Sequence, residues 1–157
     1  MALEPRPHDA DPLFMATEDR SLMALSRHEC VDLLRQAQVG RVVFTERAMP
    51  AVVPVSFAMH DDAVVMHTSS DSRLAAAAHR GVLAFEADDI DPASRTGWSV
   101  VVVGEPRLVS DPQELARIRL LLQPWAPGHL DVCLRLPLSV VTGRRIVTAA
   151  VAAAAAR

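Results

Sequence analysis

The sequence predicts a mainly β (α+β) domain in which antiparallel strands form a closed or split barrel flanked by helices. Short β-branched runs follow one another through most of the chain and are separated by short polar turns. Three segments are predicted to be helices, and they do not alternate with the strands as a parallel sheet would require. The 157 residues are enough for one domain that buries roughly 70% of its unfolded surface.

The first helix is predicted in the segment SRHECVDLLRQAQVG. Ser26 and Glu29 have the spacing of a capping box, apolar residues recur with helical period, and Gly40 is expected to stop the helix. Residues 1–20 before it are rich in proline and charge, so we expect a flexible N-terminal arm. The folded domain is expected to span residues 21–148.

Four strands are predicted next, in RVVFT, PAVVPVSFAMH, AVVMHT and GVLAFEAD. A helix over residues 70–80, capped by Ser70 or Asp71, separates the third strand from the fourth. Pro54 stands inside the second strand, where it cannot donate a ladder hydrogen bond. That strand is therefore expected to bulge or to lie at a sheet edge, with backbone groups free to face something else.

In the last third of the chain, the sequence predicts a long strand, a helix and two more strands. The long strand, WSVVVVGEPRLV, is expected to bulge at Gly104. The helix SDPQELARIRLLLQP has Asp111 as its cap, Pro112 at its first position and Glu114 completing a capping box. The segments LDVCLRL and SVVTGRRIV complete a total of about seven strands and three helices, and the alanine-rich residues 149–157 are expected to be a frayed helix or a disordered tail.

Composition excludes several classes of partner. The net charge is −3 and the chain has no run of basic residues, so it has no basic field for nucleic acid. The N-terminus lacks the pattern of a signal peptide, and no apolar run approaches the ~20 residues of a membrane span. We therefore expect a cytoplasmic protein that binds neither nucleic acid nor membrane.

Residue usage also limits the chemistry. All 16 positive residues are arginine, which excludes Schiff-base chemistry on lysine and leaves arginine or backbone to meet an anion. Cys30 and Cys133 do not form a C-x-x-C motif and are expected to be buried free thiols. The acidic run FEADDIDP and the His60–Asp62 turn lack the spacing of a metal site, so no metal ligand is assigned, and no catalytic side chain is identified.

The best candidate for a binding site is the hydroxyl cluster at residues 68–73, which joins a predicted strand to a predicted helix. Helix N-termini offer unpaired N–H groups and the positive end of the helix dipole, so an anion could bind there. The same hydroxyls could instead cap the helix. From these residues alone, both interpretations stay open.

The order of five segments carries a family resemblance. GRVVF, PAVVPVSFAMHDDAVVMHTSSDSRLAAAA, GVLAFEADDIDPASRTGWSVVVVGEPRLVSD, PWAPG and VTGRRI resemble the short flavin-binding split-barrel proteins of the pyridoxamine 5′-phosphate oxidase-like family. The resemblance covers roughly residues 22 to 147. It implies a split barrel with Greek-key-like connections, and a homodimer that holds two FMN molecules at the subunit interface.

The resemblance also implies which residues bind the cofactor. In such proteins the matching strand lines the isoalloxazine ring with its backbone, and the end of the next strand continues the contact. Ser72 and Arg73 match the pair that holds the FMN phosphate, and Ser99, beside Trp98, matches a polar position contributed by the partner subunit. The cofactor-binding residues implied are Val53, Pro54, Val55, Ser56, Phe57, His67, Thr68, Ser72, Arg73, Trp98 and Ser99.

The expected function is that of an FMN-dependent oxidoreductase, which accepts electrons from a reduced nicotinamide and passes them to a small flat substrate or to oxygen. Vitamin B6 oxidation is not expected, because the arginine-containing C-terminal segment of the true oxidases is missing. Arg144 and Arg145 are the one basic pair near that position. They are either a partial replacement for the missing segment or charges on the protein surface. Two alternatives are an F420-dependent reductase and a non-enzymatic flavin- or haem-binding protein, in which His67 or His129 would ligate haem.

Overall fold

The computed structural model describes residues 20–123, 125 and 128–155. Within these ranges, nine strands form one antiparallel sheet in the order β1-β9-β6-β5-β2-β3-β4-β8-β7. The strands are β1 Arg20–Ala24, β2 Val39–Glu46, β3 Met49–His60, β4 Ala63–Thr68, β5 Leu83–Asp91, β6 Thr96–Gly104, β7 Arg107–Leu108, β8 Val132–Pro137 and β9 Val140–Thr148. The helices are α1 Arg27–Gln36, α2 Arg73–Ala78, α3 Pro112–Leu121 and α4 Ala149–Ala155. The predicted mainly β, antiparallel fold class is confirmed.

The long strand β3 joins the two halves of the sheet. Its residues 49–56 pair with β2, and its residues 57–60 pair with β4 on the other side. Among the described residues, the stretch 49–56 therefore has one paired side and one open edge. Pro54, opposite Arg41, lies in this stretch, which confirms that the proline marks an edge.

A tight turn sets which backbone groups of β3 face the open edge. Arg47 and Ala48 form a two-residue loop with positive φ values of 50° and 64°, which is the geometry of a type I′ hairpin. Backbone groups along the strand then alternate between partner and edge. The Phe57 N–H donates to Gln38 O on the β2 side at 3.1 Å. By alternation, the backbone groups of Pro54 and Ser56 face the open edge.

The main core is formed by side chains of the sheet, α1 and α2. Its largest fully buried side chains include Phe85, Leu34 and Met66, and Phe57 packs edge-on against Phe85 with ring centroids 4.7 Å apart. A smaller separate cluster lies under α3 and is formed by Val65, Ile118, Leu122 and Cys133. The sheet thus has one large core and one small satellite core.

The first helix begins as predicted and ends earlier. Ser26 accepts a hydrogen bond from the Glu29 N–H, and the Glu29 carboxylate accepts one from the Ser26 N–H, so the capping box is confirmed. The prediction that Gly40 stops the helix is wrong, because α1 ends at Gln36 and Gly40 lies in β2. A Cβ at Gly40 would clash with the Phe85 ring and come within 2.7 Å of Glu86 O, so close packing explains this glycine.

The predicted helix over residues 70–80 is shorter than expected. Its cap is Ser72, whose hydroxyl accepts a hydrogen bond from the Ala75 N–H, and neither Ser70 nor Asp71 caps it. Ser70 instead donates its backbone N–H to the Asp131 carboxylate at 2.9 Å. Both cap candidates were misplaced because several hydroxyl and carboxylate side chains in a row could each act as a cap.

The strand predicted to bulge at Gly104 ends there instead. β6 stops at Gly104, and the two residues of β7 pair with β8 on the far side of the sheet. A Cβ at Gly104 would lie 2.7 Å from Pro137 O, so the chain turns where a backbone passes close by. Asp111 caps α3 as predicted, whereas the Glu114 side chain bonds Arg135 and does not complete a capping box.

The chain ends differ from the predictions in two ways. Arg20 belongs to β1, a strand that the sequence did not predict, and residues 1–19 of the predicted arm lie outside the described residues. The alanine-rich end forms α4 through Ala155, while residues 156–157 are outside the described range. Across the described ranges, no helix is both long and apolar enough to cross a bilayer.

Candidate functional site

A cavity of about 560 Å³ opens beside the free edge of β3. The end of β4, the start of α2 and the C-terminal end of α3 supply its other walls. Most of the lining is apolar, with a small number of polar groups, which is the usual character of a small-molecule site. The lining residues are Val39, Val53, Pro54, Val55, Ser56, His67, Thr68, Leu74, Arg119, Leu122, Trp125 and Leu130.

The edge of β3 gives this cavity a defined hydrogen-bonding wall. Because Pro54 has no N–H, its position offers an acceptor alone, whereas Ser56 offers both a donor and an acceptor. A second strand cannot pair regularly with such an edge, because the proline removes a ladder donor. The edge is therefore suited to a flat ligand with its own donors and acceptors.

Thr68 connects the cavity to α2 through a chain of hydroxyl groups. Its side chain is buried, with 7% of its surface exposed, and its Oγ1 lies 2.7 Å from the Ser72 Oγ. The Ser72 hydroxyl also accepts from the Ala75 N–H at 3.0 Å. The hydroxyl cluster thus caps α2, and it also places one member, Thr68, on the cavity wall.

His67 is the titratable ring on the cavity wall. Burial lowers its pKa below the ordinary value, and the nearby charge of Arg119 lowers it further. The ring Nδ1 is buried and has no hydrogen-bond partner among the described residues. A ligand in the cavity would therefore meet a ring that is mostly neutral at pH 7.

Two arginines near the site differ in whether they line the cavity. Arg73, at the first position of α2, pairs with Glu46 at 3.1 Å and does not line the cavity. Arg119, on α3, does line it, and no carboxylate in the described ranges pairs with its side chain. The positive charge inside the cavity thus comes from a residue that sequence reasoning missed.

The structure brings together some of the predicted cofactor residues and leaves others apart. Six of them line the cavity, namely Val53, Pro54, Val55, Ser56, His67 and Thr68. Phe57 points into the core instead. Trp98 and Ser99 lie on β6, and Trp98 lines a separate concavity of about 410 Å³ with Arg145. A role of these two residues from a partner subunit stays a prediction.

A signal for Arg119 was present in the sequence. Leu115, Ile118 and Leu122 recur at the spacing of one helix face, and Arg119 lies beside Ile118 and one turn after Leu115. An arginine next to an apolar stripe can reach from a buried face into a cavity. The other missed lining residues are Val39, Leu74, Leu122, Trp125 and Leu130.

The cysteines take no part in this site. Both are buried free thiols, as predicted. Burial raises the pKa of the Cys133 thiol to about 11 and also raises that of Cys30, so neither is a thiolate nucleophile at neutral pH. The described part of the chain holds no group of three His, Cys, Asp or Glu residues that could bind a metal ion.

Comparison with known proteins places the chain in a family. The family model described as pyridoxamine 5′-phosphate oxidase matches residues 26–153. The chain belongs to this family. It is also 41% identical to the uncharacterized protein Rv0080 of Mycobacterium tuberculosis over 133 residues, which cover 82% of this chain and 88% of that protein.

Several solved structures share the fold of this chain. The FAD binding protein of Mycobacterium smegmatis is 30% identical, with a TM-score of 0.64, and the match covers 80% of this chain and 98% of that one. A FAD-binding protein of Mesorhizobium loti matches with a TM-score of 0.66 and 24% identity, over 79% of this chain and 97% of that one. The predicted split-barrel architecture and the predicted family are both confirmed.

Proposed function

We propose that the chain is a flavin-dependent oxidoreductase that binds a flavin nucleotide in the cavity beside β3. The single observation that carries this proposal is the open edge of β3 on an apolar cavity, in a member of this family. The 30% identical Mycobacterium smegmatis protein, which binds FAD, supports a flavin over other flat ligands.

The residues present fit such a cofactor. An isoalloxazine ring has an apolar benzenoid end and a polar end with carbonyl and N–H groups, which requires apolar walls and a backbone edge in one site. Val53 and Val55 would pack against the ring, while the backbone groups of Pro54 and Ser56 would meet its polar end. The hydroxyl of Thr68 and the neutral ring of His67 would continue that contact.

The phosphate of the nucleotide needs an arginine, since the chain has no lysine. We propose Arg73 with Ser72 for this role, as the family resemblance implies, although the exposed Arg73 must exchange its partner Glu46 for the phosphate. A guanidinium binds phosphate in a bidentate manner, and an exposed ion pair is weak enough to be replaced.

The protein's own part in the reaction is to position and shield the cofactor. A bound flavin supplies the transfer of electrons at its ring. The apolar wall formed by Leu74, Leu122 and Leu130 excludes water, and His67 offers an uncharged polar contact. No general acid or base has to be assigned. We propose a reduced nicotinamide as electron donor and a small flat molecule or oxygen as acceptor.

We further propose that the working form is a homodimer. Trp98 and Ser99 lie away from the cavity of their own chain, so a second copy would have to bring them to it. Burial of exposed apolar side chains such as Met49 and Val52 on β3 would favour such an association.

The test is an absorption and fluorescence titration of the purified protein with FMN, FAD and F420 in parallel. We expect saturable binding of FMN or FAD and release of the intact nucleotide on denaturation. Binding of F420 alone would replace the flavin proposal with the deazaflavin alternative, and failure of all three would overturn both.

A second measurement separates an enzyme from a passive binding protein. The flavin-loaded protein is mixed anaerobically with NADH or NADPH, and the oxidised flavin absorption is followed before and after oxygen is admitted. We expect bleaching by the nicotinamide and recovery with oxygen. A flavin that dithionite reduces, but neither nicotinamide does, would contradict the proposed donor.

A further inference from the structure

The helices α1 and α3 have the same length but bury very different numbers of side chains. Each has ten residues. Four residues of α1 are buried in the main core, namely Cys30, Val31, Leu33 and Leu34, whereas Ile118 is the one buried residue of α3. The satellite core beneath α3 adds Leu122, which follows the helix directly. The free energy that opens α3 locally should therefore be lower than the one that opens α1.

The inner face of this weakly attached helix is part of the cavity wall. Arg119 and Leu122 both line the cavity, one turn from Ile118 and Leu115 in the satellite core. The outer face is exposed, with 86% of the Leu120 side chain open to solvent. A displacement of α3 would therefore uncover the cavity and leave the main core intact.

One half-buried ion pair fastens the first turn of α3 to the sheet. The Arg135 guanidinium on β8 donates to the Glu114 carboxylate at 2.8 Å, and both side chains are less than a third exposed. The last residue of β3 and the first residue of the β3–β4 turn lie beside the pair, with His60 at 4.0 Å from Glu114 and Asp61 at 3.8 Å from Arg135. Such partly buried, charge-assisted contacts are stronger than exposed ones.

We propose that α3 is a movable cover of the cavity and that the Glu114–Arg135 pair is the latch that holds it closed. Opening breaks the latch and the contacts of Ile118, and it carries Arg119 and Leu122 away from the ligand. Closing shields the ligand from water and places a positive charge beside it. Covers of this kind commonly set the rates at which ligands enter and leave a site.

The first experiment needs no ligand. Amide hydrogen exchange is followed by mass spectrometry in the wild-type protein and in Glu114→Gln, comparing peptides from α3 with peptides from α1. We expect α3 to exchange faster than α1, and Glu114→Gln to speed exchange in α3 by about threefold to tenfold while α1 is unchanged. Exchange in α3 that is as slow as in α1, or that rises equally in both helices, would overturn the proposal.

A matched control tests whether the loss of an unrelated ion pair also speeds amide exchange in α3. Glu86→Gln removes a contact of Arg41 at 3.0 Å within the main sheet, away from α3. We expect no change in α3 exchange for this variant. Arg135→Gln should reproduce the effect of Glu114→Gln, and the double variant should exchange no faster than either single one. Additive effects would overturn the role of the pair as a latch.

The second experiment rests on the proposed function and measures FMN association and release by stopped-flow fluorescence. We expect both rate constants to rise severalfold in Glu114→Gln, because the cover opens more often. A structural loss alone would lower the affinity without faster association, which would overturn the proposal. Failure of FMN to bind at all would contradict the proposed function, whereas the exchange experiment would still decide whether α3 opens.

Discussion

Arg73 and Arg119 differ in what surrounds them, and this difference separates two possible phosphate contacts. Arg73 lies at the start of α2 and is neutralised by Glu46 at 3.1 Å, while Arg119 reaches the cavity itself. The sequence pattern SSDSR predicted the first and gave no reason to choose the second. A motif records which residue types follow one another, whereas the cavity is assembled from strands and helices distant in sequence.

Replacing Arg73 with alanine tests the phosphate contact directly. We expect Arg73→Ala to weaken FMN binding about tenfold or more, since a charge-assisted hydrogen bond contributes roughly 1.5–3 kcal/mol. Riboflavin, which has no phosphate, should bind both proteins equally in the same fluorescence titration.

Glu46→Gln serves as the control for this prediction. It frees Arg73 from its partner and should leave FMN binding unchanged or tighter. An equal loss of riboflavin and FMN affinity in Arg73→Ala would instead indicate a folding defect. A selective loss of FMN affinity in Arg119→Ala, with none in Arg73→Ala, would move the phosphate to α3.

His67 should make the stability of the protein depend on pH. Burial and Arg119 hold the pKa of the folded state below the unfolded value of about 6.5, so the unfolded chain takes up a proton first as the pH falls. The stability due to neutral His67 is complete above pH ~6.5 and is lost as the pH falls from there through the lower folded pKa.

Denaturant unfolding of wild type and His67→Gln at several pH values between 7.5 and 5 measures this effect. We expect a smaller loss of stability on acidification in His67→Gln. His79→Gln, at an exposed position, is the matched control and should follow the wild type. Parallel pH profiles for all three proteins would disprove the role of His67.

At the scale of elements, the sequence correctly predicted the features whose signals are local. The capping box of α1, the proline at an edge and the turn at Asp61 can be read within a few residues. β1 was missed because it is short and becomes a strand through pairing with β9. β7 was predicted as the end of one long strand, because the sequence does not show that Arg107 and Leu108 pair with β8. The Arg47–Ala48 turn lies in the gap between two predicted strands, and its type could not be predicted because it lacks the Asn-Gly signal of a type I′ hairpin.

That turn predicts a stabilising substitution. Ala48 has a φ of 64°, a conformation that costs a side-chain-bearing residue roughly 1–2 kcal/mol and costs glycine little. Part of this gain is lost to the greater flexibility of glycine in the unfolded chain. We therefore expect Ala48→Gly to raise the free energy of unfolding by about 0.5–1 kcal/mol in urea denaturation. Ala51→Gly, within β3 of the same hairpin, should destabilise, and equal effects at the two positions would contradict the turn geometry.

At the scale of the whole molecule, one part of the candidate site lies within a single chain, and the other part would need a second chain. Six of the seven residues of β3 and β4 that the family resemblance implied line one cavity, because neighbouring strands place them together. Trp98 and Ser99 do not reach that cavity within their own chain. The sequence of one chain holds no local pattern that shows which surfaces of two copies meet. The residues that a partner would contribute to the site were therefore implied only by the family resemblance.

The homodimer is therefore the prediction on which the complete site depends. Sedimentation equilibrium should give twice the 17.0 kDa of the chain. Val52 on the β3 edge and Val140 on β9 are both 56% exposed, which makes them a matched pair. We expect Val52→Asp to weaken both dimerisation and flavin binding, because a buried carboxylate without a partner is costly, while Val140→Asp leaves both intact. A monomeric wild type that binds flavin with full affinity would contradict this arrangement and would confine the site to the cavity of a single chain.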